Sequence, residues 1–188
     1  IRDFDSERTF QNLIDKIDYF KNLNINAIEL MPVMEFEGNE SWGYNTSFHM
    51  AVDKFYGPEN KLKEFIDLCH QNEIAVILDL VMNHVMGRSP MNRMWMQDTN
   101  NDGWGPASTE NPYFNLEATH SYSLGNDFNH QSTYTQYYTH RVIKRWIEDF
   151  KIDGIRWDLT KGFTQNCNGN DFDCTNSYQQ DRVDVLKN

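Results

Sequence analysis

The chain has 188 residues, a formal net charge of −11 and 39% hydrophobic residues. So large a negative charge disfavours nucleic acids and anionic membrane surfaces as partners, and no apolar run is long enough for a transmembrane helix. The length allows one substantial core but is below the ~250 residues of a complete (β/α)8 barrel, so we expect the chain to be cut from a larger protein.

Helical and strand-like segments alternate along the first half of the chain. Residues 7–23 repeat apolar side chains at helical spacing, which predicts a helix, and residues 24–33 have the pattern of a buried strand. Residues 35–55 are rich in glycine, asparagine and aromatic side chains, which predicts a loop. A second helix is predicted over 58–72 and a second buried strand over 73–81.

The second half begins with a long segment, residues 86–133, that has no clear periodicity and is dense in Asn, Gly, Ser, Thr and aromatic residues. It is too long for an ordinary loop, and we predict a small inserted excursion with a binding or functional role. A helix over 135–150, a strand over 151–159, a polar loop and a partial helix follow. This alternation predicts an α/β fold with right-handed crossovers and a parallel sheet.

Two short apolar runs end in charged and polar groups that an ordinary buried strand would not carry. The first is ILDLVMNHV (77–85), and the second is DGIRWDL (153–159). Each pattern predicts a strand buried on both faces, with functional side chains at its C-terminal end. Such ends lie on the same rim of a parallel sheet, and in a (β/α) barrel that rim carries the chemistry.

Asp158 is the strongest candidate for a reacting group. Arg156 lies two residues earlier, so both side chains should point to the same face of the strand. A nearby guanidinium group keeps a carboxylate ionised and fixes its orientation, as the nucleophile of a retaining glycosidase requires. The alternative is a structural Arg–Asp ion pair, which is common at strand ends.

Asp79, Asn83 and His84 provide a second group of polar side chains. Asp79 lies between Leu78 and Leu80, so the pattern places a charge near the core. Asn83 and His84 follow the predicted strand end, where they can donate hydrogen bonds to a ligand or bind a cation. The alternative is that His84 has a structural role, either capping a backbone end or packing in the core.

Aromatic residues make up 14% of the chain, and many lie in predicted loops rather than on periodic faces. Trp42 and Tyr44 belong to the tetrapeptide WGYN (42–45), in which a glycine turn can present an aromatic ring. Such rings suit stacking on flat, neutral ligands such as sugars. The alternative is a β-turn whose aromatic residues pin a long loop to the fold.

The segment DTNNDG (98–103) fits the first half of a calcium-binding loop. Asp98, Asn100 and Asp102 stand at alternate positions, with glycine at the turn. The twelfth position would be Thr109 rather than a glutamate, and no flanking helices of the EF-hand type are evident. The alternative is a solvated Asn/Asp turn.

Three cysteines are present. Cys69 lies on the apolar side of a predicted helix and is expected to be a buried free thiol. Cys167 and Cys174 bracket a polar loop and can close a disulfide ring, which would indicate an oxidising compartment and a secreted, cell-surface or periplasmic protein. The alternative is two free thiols. A metal site is disfavoured because no histidine or further cysteine flanks them.

Taken together, these residues resemble the α-amylase family of glycoside hydrolases over nearly the whole chain. DLVMNH (79–84) resembles the family's first signature and GIRWD (154–158) its second. NAIELMPV (26–33) resembles its second barrel strand, and WGYN the loop after that strand. The resemblance implies an α/β fold, a partial TIM (β/α)8 barrel from roughly strand 1 or 2 to strand 4, with an irregular subdomain inserted after strand 3.

The resemblance also implies a domain organisation and roles for individual residues. The barrel would begin over 1–85, be interrupted by the inserted subdomain over 86–133 and continue over 134–188. Asp158 would be the catalytic nucleophile and Arg156 its partner. The residues implied in substrate binding are Tyr44, His84, Trp42 and Lys161, and Asp79 would be a structural carboxylate behind the site. Asn83 and Asp127 resemble positions that in many relatives bind a structural calcium ion. Many relatives carry Lys-His after the nucleophile strand, whereas this chain has Lys161 followed by Gly162.

The family's acid/base glutamate lies on the fifth barrel strand and its third essential aspartate follows the seventh, and neither strand is in this sequence. A retaining mechanism needs two carboxylates ~5–5.5 Å apart, so the second must come from outside residues 1–188. The resemblance implies a glycoside hydrolase that cleaves α-glucosidic bonds in starch-like α-glucans by double displacement. We expect these 188 residues alone to be inactive.

Two other functions stay open at this point. One is a debranching or glucan-branching enzyme of the same family, which ELMPVMEFEG (29–38) also resembles. The other is a non-catalytic α-glucan-binding relative, although the presence of Asp158 and Arg156 argues against it. In each case the implied partner is an α-glucan oligosaccharide or polysaccharide. A doubly wound nucleotide-binding fold is disfavoured, because no glycine-rich phosphate loop follows any predicted strand.

Overall fold

The computed structural model describes residues 1–187. Two compact units are present, of which the first comprises Ile1–Leu80 with Val142–Trp157 and the second comprises residues 81–141 with 158–187. The α-helices are α1 (Phe10–Asp15), α2 (Ile17–Asn22), α3 (Glu59–Gln71), α4 (Pro90–Arg93), α5 (Thr133–Glu148), α6 (Phe172–Asn176) and α7 (Gln180–Lys187). The strands are β1 (Ala27–Leu30), β2 (Met34–Phe36), β3 (Thr46–Val52), β4 (Ala75–Leu80), β5 (His84–Val85), β6 (Asn126–Asp127) and β7 (Gly154–Trp157), and a 3-10 helix covers Thr160–Phe163. The predicted domain organisation, a barrel over 1–85 and 134–188 with an inserted subdomain over 86–133, stays a prediction.

A three-stranded parallel sheet organises the first unit. Strand β4 lies in the middle, with β1 on one side and β7 on the other. Its side chains Val76, Leu78 and Leu80 are buried, as expected of a central strand in a parallel sheet. The predicted α/β character and parallel pairing are confirmed, while closure of the sheet into a barrel stays a prediction.

Helix α3 covers the region predicted as the second helix and places one apolar face in the core. The buried residues of this face recur at helical spacing: Leu62, Phe65, Ile66 and Cys69. Cys69 is a buried free thiol, as the sequence predicted, and burial raises the pKa of its thiol to about 12. This thiol is therefore protonated and unreactive near neutral pH.

Two sequence-based predictions for the first unit are wrong. The single helix predicted over 7–23 is two short helices, because the backbone leaves the helical conformation at Lys16 (φ −101°, ψ 11°). The loop predicted over 35–55 contains β2 and β3, which pair antiparallel with register shifts. The hydrophobic alternation of β3 is hidden in the sequence, since the polar residues Thr46 and His49 are buried while Phe48 is exposed.

The second unit consists largely of irregular chain around a few short elements. Strands β5 and β6 pair antiparallel, with His84 opposite Asp127. Most of 86–133 lacks regular structure, in agreement with the missing periodicity. Phe128, His130 and Phe163 form buried ring contacts in the core of this unit. Within residues 1–187, none of the helices combines the length and apolar character needed to cross a bilayer.

Candidate active site

The carboxyl end of β4 carries a buried carboxylate that accepts hydrogen bonds from Arg156 and Tyr44. Asp79 is 1% exposed, and the strand register places it opposite Arg156 on β7. The Nη1 atom of Arg156 donates to both carboxylate oxygens, at 2.9 and 3.0 Å, and the hydroxyl of Tyr44 donates to Oδ2 at 2.9 Å. A buried carboxylate needs such partners because desolvation is costly. Asp79 is thus the buried centre of this cluster, and its role as a structural carboxylate behind the site stays a prediction.

Arg156 was expected to be the partner of Asp158, and the structure shows Asp79 as a partner that sequence spacing did not indicate. The two residues are 77 positions apart, and only the parallel pairing of β4 with β7 brings them together. An orienting effect of Arg156 on Asp158 stays a prediction.

Glycine at position 43 presents Tyr44 to this cluster. Gly43 has φ +99°, and a Cβ atom there would lie 2.4 Å from the carbonyl oxygen of Pro32. Only glycine tolerates both the left-handed backbone and this close approach. The glycine turn inferred from WGYN is therefore present, and the Tyr44 hydroxyl faces Asp79.

Trp42 lies at the surface of the first unit. Trp42 is 53% exposed, and its Nε1 atom donates to Asp3 Oδ2 at 2.6 Å. The Arg2 guanidinium lies 5.4 Å from the centroid of the indole ring. An exposed indole can stack on a sugar ring, and substrate binding by Trp42 stays a prediction.

Asp158 follows β7 directly in the chain and belongs to the second unit, where Asn83 holds it. The Asn83 Nδ2 atom donates to the main-chain oxygen of Asp158 at 3.1 Å and approaches its Oδ2 atom at 3.4 Å. The Oδ1 atom of Asn83 accepts from His84 Nδ1, which assigns that ring proton to Nδ1. Asn83 and His84 are both buried, at 1% and 3% exposure. The structure thus brings Asn83 and its neighbour His84 together with Asp158, which lies on a separate segment of the sequence.

Asp127 is the centre of a buried hydrogen-bond network in the second unit. His120 Nε2 donates to its Oδ1 atom at 2.8 Å, and Asn115 Nδ2 donates to its Oδ2 atom at 2.8 Å. The main-chain amide of Tyr122 donates to His120 Nδ1, so the Nε2 atom carries the proton. Both carboxylate oxygens of Asp127 therefore already accept protein hydrogen bonds, and Asn83 directs its amide nitrogen to Asp158. The hydrogen bonds observed at Asp127 and Asn83 are thus to protein groups.

The predicted calcium loop over 98–103 is a turn closed by its own carboxylates. Asp98 accepts from the amides of Asp102 and Gly103, both at 3.0 Å, and Asp102 accepts from the amide of Trp104 at 2.9 Å. Throughout residues 1–187, no group of three or more His, Cys, Asp or Glu side chains is arranged to hold a metal ion. Calcium binding by Asp98, Asn100, Asp102, Asn83 and Asp127 stays a prediction.

Lys161 lies in the 3-10 helix after Asp158. Its Nζ atom donates to Asn176 Oδ1 and lies 5.5 Å from the ring centroid of Tyr122. The Cys167 and Cys174 side chains form a disulfide in the following loop, with Cα atoms 5.8 Å apart. Substrate contact by Lys161 stays a prediction.

Sequence inspection did not single out the buried histidines of the irregular segment. His120 and His130 lie in a region without periodicity, so no pattern distinguishes them from solvated loop residues. Burial lowers the pKa of His130 to about 4, and its Nε2 atom has no hydrogen-bond partner in the described part of the chain. His130 is therefore a neutral core residue near neutral pH, packed 4.3 Å from Phe163 between ring centroids.

Comparison with known proteins places this arrangement in a family. The family model "Alpha amylase, catalytic domain" matches residues 4–114. The malto-oligosyltrehalose trehalohydrolase of Saccharolobus solfataricus is 30% identical over 168 residues, 87% of this chain and 27% of that protein. Alpha-amylase 3 of Dictyoglomus thermophilum is 31% identical over 177 residues, 85% of this chain and 34% of that protein. The 1,4-alpha-glucan branching enzyme GlgB of Halothermothrix orenii is 31% identical over 151 residues, 80% of this chain and 22% of that protein.

Solved structures show the same fold. Eubacterium rectale Amy13B superposes with a TM-score of 0.70 at 23% identity, covering 98% of this chain and 37% of that one. AmyP in complex with maltose superposes with a TM-score of 0.57 at 27% identity, covering 82% of this chain and 28% of that one. The chain spans between 22% and 34% of the length of the curated relatives named above. On the match of its residues 4–114 and on these relatives, the chain belongs to the α-amylase family of glycoside hydrolases.

Proposed function

We propose that the whole protein cleaves α-glucosidic bonds in starch-like α-glucans with retention of configuration, and that Asp158 of this chain is the nucleophile. The observation that carries this proposal is the placement of Asp158. It directly follows β7, a partly exposed strand of the parallel sheet rather than the fully buried one that the sequence predicted, and one buried amide contacts both its main chain and its carboxylate. A fixed carboxylate at the end of a strand is what covalent catalysis at an anomeric carbon requires.

The proposed reaction has two steps. The Asp158 carboxylate attacks the anomeric carbon, and the new C–O bond forms as the glycosidic bond breaks. A second carboxyl group, which we place outside residues 1–188, donates its proton to the leaving oxygen. It then takes a proton from water as that water attacks the anomeric carbon and releases Asp158, so configuration is retained.

The other assignments rest on the family resemblance and on the local geometry of each unit. Tyr44 and His84 are proposed to contact the sugar that is cleaved, while Trp42 and Lys161 are proposed to contact other parts of the glucan. The disulfide between Cys167 and Cys174 supports an oxidising compartment, and we propose a secreted, cell-surface or periplasmic protein.

The proposal is tested by removing the carboxylate and supplying another nucleophile. Asp158→Ala in the whole protein should lose at least about 10³-fold in kcat on an aryl α-maltoside. Added azide should restore turnover and give a β-glycosyl azide, since azide enters from the face that Asp158 vacates. The matched control is Asp153→Ala at the other end of the same strand segment, where the carboxylate accepts from Val76 N and contacts His70. Turnover by Asp158→Ala at the rate of Asp153→Ala would refute the assignment.

A glucan-branching activity is the second candidate, because a branching enzyme is among the relatives that are 31% identical. Both reactions begin with the same glycosyl-enzyme, and they differ in the acceptor, which is water in hydrolysis and a sugar hydroxyl in branching. Incubation with amylose separates them. Hydrolysis raises the number of reducing ends, whereas branching creates α-1,6 linkages, visible by proton NMR, at constant reducing ends. A protein that binds maltotriose and does neither would be a non-catalytic relative.

A further inference from the structure

The amide of Asn83 contacts Asp158 at two points of the same residue. Its Nδ2 atom donates to the main-chain oxygen at 3.1 Å and lies 3.4 Å from the carboxylate Oδ2. Because its Oδ1 atom accepts from His84 Nδ1, the amide orientation is fixed, with the nitrogen facing Asp158. Asn83 is 1% exposed, so water does not compete for these contacts.

The main chain turns sharply immediately after Asp158. Leu159 adopts φ 42° and ψ 55°, a left-handed conformation that bulky residues rarely occupy. The 3-10 helix begins at the next residue, and Gly162 N donates to Leu159 O at 2.8 Å. A conformation of this kind persists only where neighbouring contacts hold it, and the hydrogen bond from Asn83 to the preceding carbonyl group is such a contact.

Gly162 packs directly against Asn83. A Cβ atom at position 162 would lie 2.7 Å from the Asn83 Cβ and 3.3 Å from His120 Nε2. The Phe128 amide donates to the Asn83 carbonyl oxygen at 3.1 Å and fixes its main chain from another segment. Contacts with Gly162 and Phe128 therefore restrict the position of Asn83. The contacts of its amide with Asp158 restrict the position of Asp158 in turn.

We propose that Asn83 is a positioning residue for Asp158. The amide N–H group of Asn83 sets the orientation of the Asp158 carboxylate, immediately before the left-handed turn at Leu159. This inference rests on the proposed function and deepens it. It assigns Asn83 a role in the reaction distinct from metal binding. Loss of the donor should slow formation of the glycosyl-enzyme, since a reacting carboxylate displaced by about 1 Å can cost roughly 10²-fold in rate.

The test uses the whole protein, with 4-nitrophenyl α-maltotrioside as the substrate. Asn83→Leu keeps the branched shape and the number of heavy atoms of the side chain and removes the N–H donor without placing a charge beside Asp158, while Asn83→Ala removes both the donor and the volume. We expect each variant to lower kcat by roughly 30- to 100-fold and to keep KM within about threefold of the wild-type value. The rates are expressed per mole of folded protein, with the folded fraction measured by circular dichroism. The matched controls are Asn92→Leu and Asn92→Ala, since Asn92 is equally buried in the same unit and its amide donates to Gly105 O at 3.0 Å.

Each outcome decides one of the two claims. A packing role for Asn83 predicts that Asn83→Leu, which preserves the shape of the side chain, keeps kcat within about threefold of wild type, and that result would overturn the inference. An equal loss in Asn92→Leu would also overturn it, because any buried amide would then have the same effect. Asp158→Ala, assayed in parallel, tests the proposed function separately: if it keeps wild-type turnover, the nucleophile assignment fails whatever the Asn83 variants do.

Discussion

Replacing Arg156 by glutamine should destabilise the protein, because it removes the guanidinium group that donates to both oxygens of the buried Asp79 carboxylate. Asp79 is 1% exposed, and Arg156 donates to both of its oxygens within 3.0 Å. Removing one partner of a buried ion pair costs about 3–5 kcal/mol. Since 44% of the Arg156 side chain is exposed and solvent screens part of the attraction, we expect about 3 kcal/mol. Tyr44→Phe removes one hydrogen bond to the same carboxylate and should cost about 1.5–2 kcal/mol.

The assay is a double-mutant cycle of Arg156→Gln with Asp79→Asn, measured by urea unfolding of the whole protein. Asp79→Asn removes the buried charge, so the double variant should be more stable than the sum of the single losses predicts, by about 2 kcal/mol. Glu59 and Arg145, which pair at 2.6 Å on the more exposed surface of the first unit, supply the comparison cycle, with an expected coupling below about 1 kcal/mol. A coupling near zero for Asp79 and Arg156 would refute the reasoning.

Three further predictions concern packing, backbone conformation and pH. Trp146→Phe should cost about 2–3 kcal/mol in urea unfolding, because the fully buried indole loses its 2.9 Å hydrogen bond to His49 O and leaves a cavity; a loss below about 1 kcal/mol would contradict this. Gly43→Ala should cost at least about 2 kcal/mol, since its new Cβ atom would meet Pro32 O at 2.4 Å, and an unchanged melting temperature would show that the turn adapts. His130 has a pKa lowered to about 4 by burial, so between pH 6.5 and 4 the unfolded chain binds a proton that the folded chain does not. The unfolding free energy should therefore fall as pH falls through this window, by about 3 kcal/mol in total, and His130→Gln should remove that part of the pH dependence.

The sequence allowed some elements of the fold to be predicted because their residues share one periodicity or one environment. Strand β4 was predictable since a central parallel strand is largely apolar, and β7 was predictable from a short apolar run, although it is partly exposed; their polar ends marked the candidate site. Strand β3 was not predictable, because buried Thr46 and His49 break the apolar pattern. The sequence of one strand does not indicate which distant strand pairs with it in the sheet.

The candidate site shows the same limit. Asp79, Arg156, Asn83 and Asp158 were each selected from the ends of apolar runs. Their pairing was not, because Asp79 and Arg156 are 77 residues apart and Asn83 and Asp158 are 75 residues apart. Spacing within one strand suggested Asp158 as the partner of Arg156, whereas strand register adds Asp79. Such contacts follow from the order and register of strands, which no local pattern specifies.

The most direct test of the central claim is to trap the glycosyl-enzyme of the whole protein with a 5-fluoro-α-glucosyl fluoride and locate the label by peptide mass spectrometry. Trypsin cleaves after Arg156 and Lys161 and releases the pentapeptide WDLTK (157–161), which contains a single carboxylate side chain, that of Asp158. We expect a glycosyl adduct on this peptide, formed at the rate at which the enzyme is inactivated. An adduct on another peptide in a catalytically active protein would contradict it.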